Sequence, residues 1–209
     1  MISVIPTQHV NSVRQLNAYP VVQDGQKSTF RLGDIYGNEV KTLMLELNIP
    51  TLHTLGETQI ATLRFEYDEV AGELTEHQVR ELPVFIHVQD AAADIRPLPN
   101  PDVAQSVLLL KAANARKNAV KAADKGDFLT ASQILQAAAE AIARADLESE
   151  QLSDERAALL KQAEQVERGQ SGYDSYERKS MSTQAIYTMS SRHQETMKLR
   201  IREREREGQ

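Results

Sequence analysis

The side chains that could act as metal ligands or as acid–base groups are scattered along this sequence. No two histidines have the i, i+4 spacing that places two ligands on one helix face, and no carboxylate cluster completes a metal site. We therefore interpret the histidines as surface or sheet residues. His87 lies within an apolar run, and we expect it to pack against a facing sheet. The five histidines are His9, His53, His77, His87 and His193.

The sequence also lacks the motifs that activate a nucleophile or bind a phosphate. No serine lies in a Gly-x-Ser-x-Gly elbow, no Gly-rich loop of the Walker or dinucleotide type occurs, and the chain has no cysteine. Residues 33–37 contain the glycines of an anion-binding nest, but we interpret them as a tight turn between two strands. We therefore predict a protein that is not an enzyme and that holds no cofactor or metal, with a hydrolase of unfamiliar site as the remaining enzyme hypothesis.

Two groups of charged residues have the composition of ligand sites. Asp68, Glu69, Glu73 and Glu76 offer the oxygen ligands that calcium prefers, but we interpret them as a solvated loop after a strand. The basic residues of the tail suggest RNA or membrane binding, but the glutamates of the same segment cancel most of that charge. These basic residues are Arg192, Lys198, Arg200, Arg202, Arg204 and Arg206. A solvated or coiled-coil-like helix is the preferred interpretation of that segment.

Length and composition limit the architecture and the class of partner. A chain of 209 residues can bury one good core, or one core and a smaller satellite, so we look for two units. The formal net charge of −6 argues against nonspecific nucleic-acid binding. No apolar run approaches the roughly 18 residues that a membrane span needs, and no signal-peptide pattern follows Met1. These features predict a cytoplasmic protein that binds neither nucleic acid nor membrane.

Residues 1–90 have the pattern of an antiparallel β-sandwich. Asp24-Gly25 between two extended runs predicts a hairpin. Residues 41–49 and 59–67 alternate apolar and polar side chains, so we expect two half-buried strands that are antiparallel neighbours. After a polar connection, Pro83 begins the last strand, which suggests an edge strand or a strand entrance. Six or seven short strands without a helix between them are typical of a sandwich.

The rest of the chain predicts helices, so the expected fold class is α+β. Residues 91–101 form a Pro-rich linker, and residues 102–168 form a helical hairpin and a third helix. Asn100 and Pro101 suit the start of a first helix that ends at Gly126, and Asp127 caps the second. Ser153 is expected to cap the third helix. The inward side chains predicted for that helix are Leu159, Leu160, Ala163 and Val166.

Residues 169–209 are predicted to form a polar, charged tail. A marginal helix is expected over residues 182–200, and the alternating arginines and glutamates of residues 201–207 have no face to bury. We expect this last segment to be frayed or ordered by a partner. The candidate contact residues for a partner are aromatic and apolar residues of the tail: Tyr173, Tyr176, Ile186, Tyr187 and Met189.

Two blocks of the sequence resemble a region of known bacterial proteins. The first contains Leu32-Gly33-Asp34-Ile35-Tyr36-Gly37, and the second contains Lys125-Gly126-Asp127-Phe128 between alanine-rich runs. In this order, over roughly residues 1–170, they resemble the β-sandwich and helical region that follow the von Willebrand factor type A (VWA) domain. The metal-binding Asp-x-Ser-x-Ser motif of that domain is absent, because Asp174-Ser175 is not followed by the required serines. The resemblance implies a scaffold region without its ligand-binding head, which supports the head and mediates assembly.

These features together predict a non-catalytic module for protein–protein interaction or assembly. Edge strands and a helical hairpin offer grooves for an extended segment or an amphipathic helix. The resemblance implies a protein partner such as a VWA-domain protein or an ATPase. The alternative is a self-assembling structural protein, a homo-oligomer whose tail from Tyr173 onward forms inter-subunit helices. The Gly126-Asp127 turn also resembles half of a tetratricopeptide unit, but one hairpin and a third helix are too few repeats for a solenoid.

Overall fold

The structure is a computed structural model that describes residues 1–36, 39–71, 74–90, 100–145 and 147–190. In these residues, antiparallel strands precede four helices, which confirms the predicted α+β class. The strands are β1 Ile2–Pro6, β2 Ser12–Gln15, β3 Val21–Asp24, β4 Lys27–Phe30, β5 Leu45–Asn48, β6 Gly56–Ala71 and β7 Leu74–Val88. The helices are α1 Pro101–Ala123, α2 Phe128–Arg144, α3 Glu150–Glu167 and α4 Ser175–Met189, with a 3-10 turn at Gly169–Ser171.

The chain forms two compact units. The β unit comprises Met1–Gln15, Tyr19–Lys41 and Leu45–Pro97. The helical unit comprises Leu98–Gln209 and two short segments from the first half of the chain, Leu16–Ala18 and Thr42–Met44. Of the predicted linker, only Asn100 and Pro101 are among the described residues, and they start α1.

The β unit contains a five-stranded sheet in the order β3-β4-β1-β6-β7 and a two-stranded sheet of β2 and β5. The predicted hairpin at Asp24-Gly25 is confirmed, since it joins β3 to β4 and Gly25 has the positive φ of 59° that such a turn favours. The expectation that β5 and β6 are neighbours is wrong. The short β1 takes the place beside β6, and β5 pairs with β2 instead.

One face of the five-stranded sheet is apolar where β4, β1 and β6 lie side by side. Residues that lie opposite each other on paired strands share a face, and Ile2 lies opposite both Phe30 and Phe65. Two residues along, Val4 lies opposite Leu63. Val4 is 0% exposed and Phe30 is 2% exposed, so this face holds the core of the sheet. Leu63 and Phe65 therefore lie on the face that the alternation of residues 59–67 predicts to be buried.

The strand β7 is longer than the sequence suggested. Residues 74–82, which we expected to be a polar connection, are its first nine residues, and β6 and β7 pair from Gly56 opposite Val88 to Ala71 opposite Leu74. Pro83 therefore lies inside the strand and does not begin it. Proline is tolerated there because β7 is an edge strand, as the proline indicated.

The predicted strand over residues 41–49 is also revised, because only Leu45–Asn48 is a strand. The ammonium of Lys41 donates to the carbonyl of Leu32 at 3.0 Å. The backbone N–H of Met44 donates to the side-chain oxygen of Asn17 at 2.6 Å. The residues before Leu45 thus have partners outside a strand ladder.

The starts of the first two helices are as predicted. The side-chain oxygen of Asn100 accepts from the N–H groups of Asp102 at 2.9 Å and Val103 at 3.3 Å, with Pro101 at the first helical position. The Asp127 carboxylate accepts from the N–H of Thr130 at 3.1 Å and caps α2. Between the two helices Gly126 has a φ of 82°, a left-handed conformation that suits glycine.

The third helix begins earlier than predicted. Ser149, and not Ser153, is its cap, since its hydroxyl accepts from the N–H of Leu152 at 3.3 Å. Leu152 is 2% exposed, so a helix that began after Ser153 would leave this core residue outside it. Leu159, Ala163 and Val166 are buried as predicted. The inward position predicted for Leu160 is wrong, because that side chain is 37% exposed.

A helix is present in the predicted tail, but it lies earlier than expected. The sequence predicts a helix over residues 182–200, whereas α4 begins at Ser175. The carboxylate of Asp174 caps this helix by accepting from Glu177 N–H at 2.8 Å. Residues 191–209 lie outside the described residues. Met181, Ala185 and Met189 recur every four residues and are buried, and α4 packs against α1. This helix is therefore part of the core of the helical unit.

Candidate interaction surface

The outer edge of β7 is the longest free strand edge in the described part of the chain. β7 is the last strand of the five-stranded sheet, and among the described residues it pairs only with β6. It has 15 residues, whereas β3 at the opposite edge has four. The outward N–H and C=O groups of a long edge strand are a template on which a further strand can pair.

Large apolar side chains are exposed along the same hairpin. Leu74 is 78% exposed and Leu82 is 54% exposed, although both are leucines in a regular strand. Strands at a solvated edge usually carry lysines, prolines or other polar residues that discourage pairing. Exposed apolar side chains beside a free edge instead favour contact with another protein segment. The exposed large apolar residues of the hairpin are Tyr67, Val70, Leu74, Val79, Leu82 and Phe85.

Two oppositely charged residues lie between the two exposed leucines. Side chains alternate along a strand, so Glu76, Gln78 and Arg80 share the face of Leu74 and Leu82. Both Glu76 and Arg80 are exposed. Neither makes an ion pair with another residue in the part of the chain that the structure describes. Both charges are therefore available to a partner.

The other face of the hairpin carries cross-strand polar pairs. Nδ1 of His77 lies 2.7 Å from the carboxylate of Asp68, directly opposite it in the register. Arg64 Nη2 donates to Glu66 at 2.8 Å, and its Nη1 lies 3.9 Å from Glu81. The His77 and Asp68 side chains are 62% and 65% exposed, so this pair adds little to stability.

The acidic stretch that we weighed as a calcium site belongs to this hairpin. Asp68 and Glu69 lie in β6 and Glu76 lies in β7, so they are not in a loop as expected. Glu73 lies outside the described residues. In the described ranges, no group of three His, Asp or Glu side chains is arranged to hold a metal ion.

The described histidines are separate from one another in the sequence and in the strand register. His77 and His87 lie on β7, His53 is exposed in a loop, and His9 is half-buried. His87 is exposed opposite Glu57, so the expectation that it packs against a facing sheet is wrong. An exposed edge strand has no second layer over that side chain. His193 lies outside the described residues.

A buried arginine connects three helices of the helical unit. Arg116 of α1 is 2% exposed, and its guanidinium donates to both carboxylate oxygens of Glu155 on α3. Its Nε donates to Gln162 at 2.8 Å, and the amide of Gln162 donates to Gln184 of α4 at 2.9 Å. A charge this deeply buried is acceptable only when it is paired and hydrogen-bonded. The chain of contacts fixes the relative positions of α1, α3 and α4.

Asp124 joins the end of α1 to the start of α4. Its carboxylate accepts from Arg178 through two nitrogens, at 2.7 and 2.8 Å, and from the hydroxyl of Tyr173 at 2.9 Å. The hydrogen bond from Arg178 lowers the pKa of Asp124. Burial, followed by the Asp124 contact, raises the pKa of Tyr173, so this phenol stays protonated. The ring of Tyr173 also packs edge-to-face on Phe128, with 6.2 Å between ring centroids.

The titration of the Glu177 carboxyl is also shifted. Burial raises its pKa, and the nearby charge of Asp174 acts in the same direction, against smaller opposite effects of Lys161 and Arg116. With its amide nitrogen turned toward the carboxylate, Gln165 donates to Glu177 at 2.9 and 3.2 Å. Since this carboxyl lies between helices rather than in a cleft, we interpret it as a structural group.

The tail residues predicted to contact a partner fall into two groups. Tyr173 and Met189 are buried, 8% and 4% exposed, and the Met189 carbonyl accepts from Ala18 N–H at 3.3 Å within the helical unit. Tyr176 and Ile186 are 77% and 65% exposed, and Tyr187 is half-buried. Tyr173 and Met189 therefore belong to the core of the helical unit. Partner contact by any of the five stays a prediction.

A shallow depression lies where α2 meets α3. It encloses about 210 Å³ and is lined by Ile142, Leu152 and Arg156, among others. Pockets for small organic ligands are usually about 300–1,000 Å³ and have several convergent polar groups.

None of the described helices has the length and apolar character needed to cross a membrane.

Comparisons with protein-family models, with curated proteins and with solved structures found no match. The likeness of residues 1–170 to the region that follows a VWA domain therefore stays a prediction. The surface that carries the functional proposal is defined by this structure alone.

Proposed function

We propose that this chain is a non-catalytic interaction module that binds an extended protein segment along the outer edge of β7. The observation that carries the proposal is the conjunction of a 15-residue strand, whose outer edge pairs with none of the described residues, and exposed leucines on that strand. A segment added to this edge would form main-chain hydrogen bonds for affinity. Its side chains would meet Leu74, Leu82 and the charges between them, which would set specificity.

The helical unit has a supporting role in this proposal. Its polar contacts, Arg116 with Glu155 and Asp124 with Tyr173 and Arg178, lie between its own helices. Such internal contacts hold the helices of this unit together as one body. We propose that this body acts as a scaffold in the cytoplasm, and that a VWA-domain protein or an ATPase is a suitable partner class on the strength of the sequence resemblance.

The proposal is tested by comparing two variants in affinity capture from the cell that makes this protein. Leu74→Lys with Leu82→Lys places on the edge the residue that natural edge strands use against pairing. Leu129→Lys is the matched control, because Leu129 is 64% exposed and lies on α2. Both variants should give the circular dichroism of the parent chain, since the replaced side chains are exposed.

We expect the parent chain and Leu129→Lys to retain the same set of proteins, including any further copies of this chain, and the double variant to lose them. Retention of the same set by all three chains would show that the β7 edge is not the binding surface. A parent chain that retains nothing, not even itself, would reject the interaction function altogether.

A further inference from the structure

The side chains on the face of β7 between its two exposed leucines are complementary to the same side chains on a second, antiparallel copy of the strand. From Leu74 to Leu82 the side chains on this face are apolar, acidic, neutral, basic and apolar. Glu76 and Arg80 are each two residues from Gln78, and the leucines are each four residues from it. The register with β6 is regular over this whole segment, so the alternation of faces holds without interruption. The five residues are Leu74, Glu76, Gln78, Arg80 and Leu82.

We infer that the β7 edge pairs antiparallel with the β7 edge of a second copy of this chain, with Gln78 opposite Gln78. This inference rests on the proposed function and names the segment that the edge binds. In this register Glu76 of each copy lies opposite Arg80 of the other, and Leu74 lies opposite Leu82. Directly opposed side chains on antiparallel strands have Cβ atoms about 4.5–5.5 Å apart. Two cross-strand ion pairs and two leucine contacts therefore form at once.

Neighbouring registers lack this match. A two-fold axis between two antiparallel edges is perpendicular to the sheet, and it relates residues that lie on the same face. Such an axis must therefore pass between the two copies of one residue, which then lie opposite each other. Centred on Arg80, it would oppose two arginines, and centred on Glu81 it would oppose two glutamates. Centred on Val79, it would oppose Glu76 to Leu82. Like charges directly opposite each other destabilise a strand pair.

The ends and the other face of the segment are consistent with the same register. Pro83 follows Leu82 and has no N–H to donate, so the paired segment ends naturally there. On the opposite face Thr75 meets Glu81 and His77 meets Val79, and no like charges are opposed. Charges on an edge strand usually prevent pairing. Here Glu76 and Arg80 have opposite signs and lie at equal distances from Gln78. Their charges therefore favour the register with Gln78 opposite Gln78 over the neighbouring registers.

The pairing involves nine residues of each copy, from Leu74 to Leu82, through one edge. An interface of that size is small, and small interfaces commonly give reversible association. We therefore expect a dimer that dissociates on dilution.

Charge reversal at Glu76 and Arg80 tests the inference, because a second charge reversal should restore the association that the first one removes. Glu76→Arg gives each chain two basic residues on this face, and Arg80→Glu gives each chain two acidic residues. Each variant alone should self-associate about tenfold more weakly than the parent or worse, because both ion pairs become repulsions. An equimolar mixture of the two variants should form a dimer, and so should the double variant Glu76→Arg with Arg80→Glu. Sedimentation velocity over a concentration series reads the mass, and circular dichroism checks folding.

The inference is overturned if the parent chain is monomeric throughout the series, if either single variant dimerises as the parent does, or if mixing restores nothing. These failures differ from failure of the proposed function. A monomeric parent chain that still captures proteins, and loses them with Leu74→Lys and Leu82→Lys, would keep the β7 edge as a binding surface and reject only the second copy as its occupant.

Discussion

Arg116 and Glu155 form a two-pronged ion pair between α1 and α3, with the arginine side chain almost wholly buried. Gln162 takes a further hydrogen bond from the same guanidinium at 2.8 Å. Each of the three guanidinium nitrogens of Arg116 thus donates to an acceptor. The pair is a determinant of how the helices are arranged and not a surface contact.

Removal of the arginine should destabilise the helical unit strongly. Arg116→Ala leaves the carboxylate of Glu155, which is only 17% exposed, without its partner. We expect the free energy of unfolding to fall by about 3 kcal/mol. Arg144→Ala is the control, since Arg144 pairs with Glu140 at 3.7 Å on the surface and should change stability by less than about 0.5 kcal/mol. Urea denaturation followed by circular dichroism measures both, and equal effects would contradict the account.

Tyr173 should behave as a core residue and not as a free contact residue. Tyr173→Phe keeps the ring against Phe128 but removes the hydroxyl that donates to Asp124, so we expect a loss of about 1–2 kcal/mol in thermal or urea unfolding. Tyr176→Phe is the matched control and should change nothing, because Tyr176 is 77% exposed. A Tyr173→Phe chain as stable as the parent would mean that the hydroxyl does not bind Asp124 in solution.

The contact between Asp124 and Arg178 should make stability depend on acid pH. The pKa of Asp124 is lowered from its ordinary value of 3.8, mainly by the hydrogen bond from Arg178. The folded state therefore holds the proton less tightly than the unfolded state, and the stabilisation is present above pH 3.8 and disappears as pH falls through the lower folded pKa. We expect Asp124→Asn to be less stable than the parent at neutral pH, with the difference shrinking below pH 3.8. Urea titrations at a series of pH values measure this, and a constant difference would contradict it.

The helix starts could be predicted because their causes are local. Asn100-Pro101 and Gly126-Asp127 each combine a cap with the residue that begins or ends a helix, and a few adjacent atoms decide the outcome. The start of α3 shows the limit of local information. Ser149 and Ser153 are both suitable caps, and the burial of Leu152, which depends on the other helices, selects the first.

Other parts of the fold depend on contacts that are distant in sequence. The place of β1 beside β6 brings Ile2 opposite Phe65, and no local pattern indicates that pairing. The helix α4 has little apolar periodicity of its own, yet Met181 and Ala185 are buried because α1 lies against them. These are tertiary effects that override local propensity.

The surface that carries the proposed function was missed by sequence reasoning, although its signal is present. The alternation from Leu74 to Leu82 has the period of two that marks a strand, but it mixes leucines with charged residues on one face. Because neither face of residues 74–82 is purely apolar, the sequence predicts a polar connection there. The symmetry of charge about Gln78 becomes meaningful only when β7 is known to be an edge strand.

The most direct test of the central claim uses the absence of cysteine from the chain. In the inferred dimer Gln78 lies opposite Gln78 of the second copy, and opposed Cα atoms are about 4.5–5.5 Å apart, within the range of a disulfide. Thr75 lies three residues from the axis, so its two copies are about 20 Å apart. Under mild oxidation we predict that Gln78→Cys forms a covalent dimer rapidly and that Thr75→Cys does not, as read by non-reducing electrophoresis. Equal rates for the two variants, or no dimer from Gln78→Cys, would contradict pairing of the β7 edges.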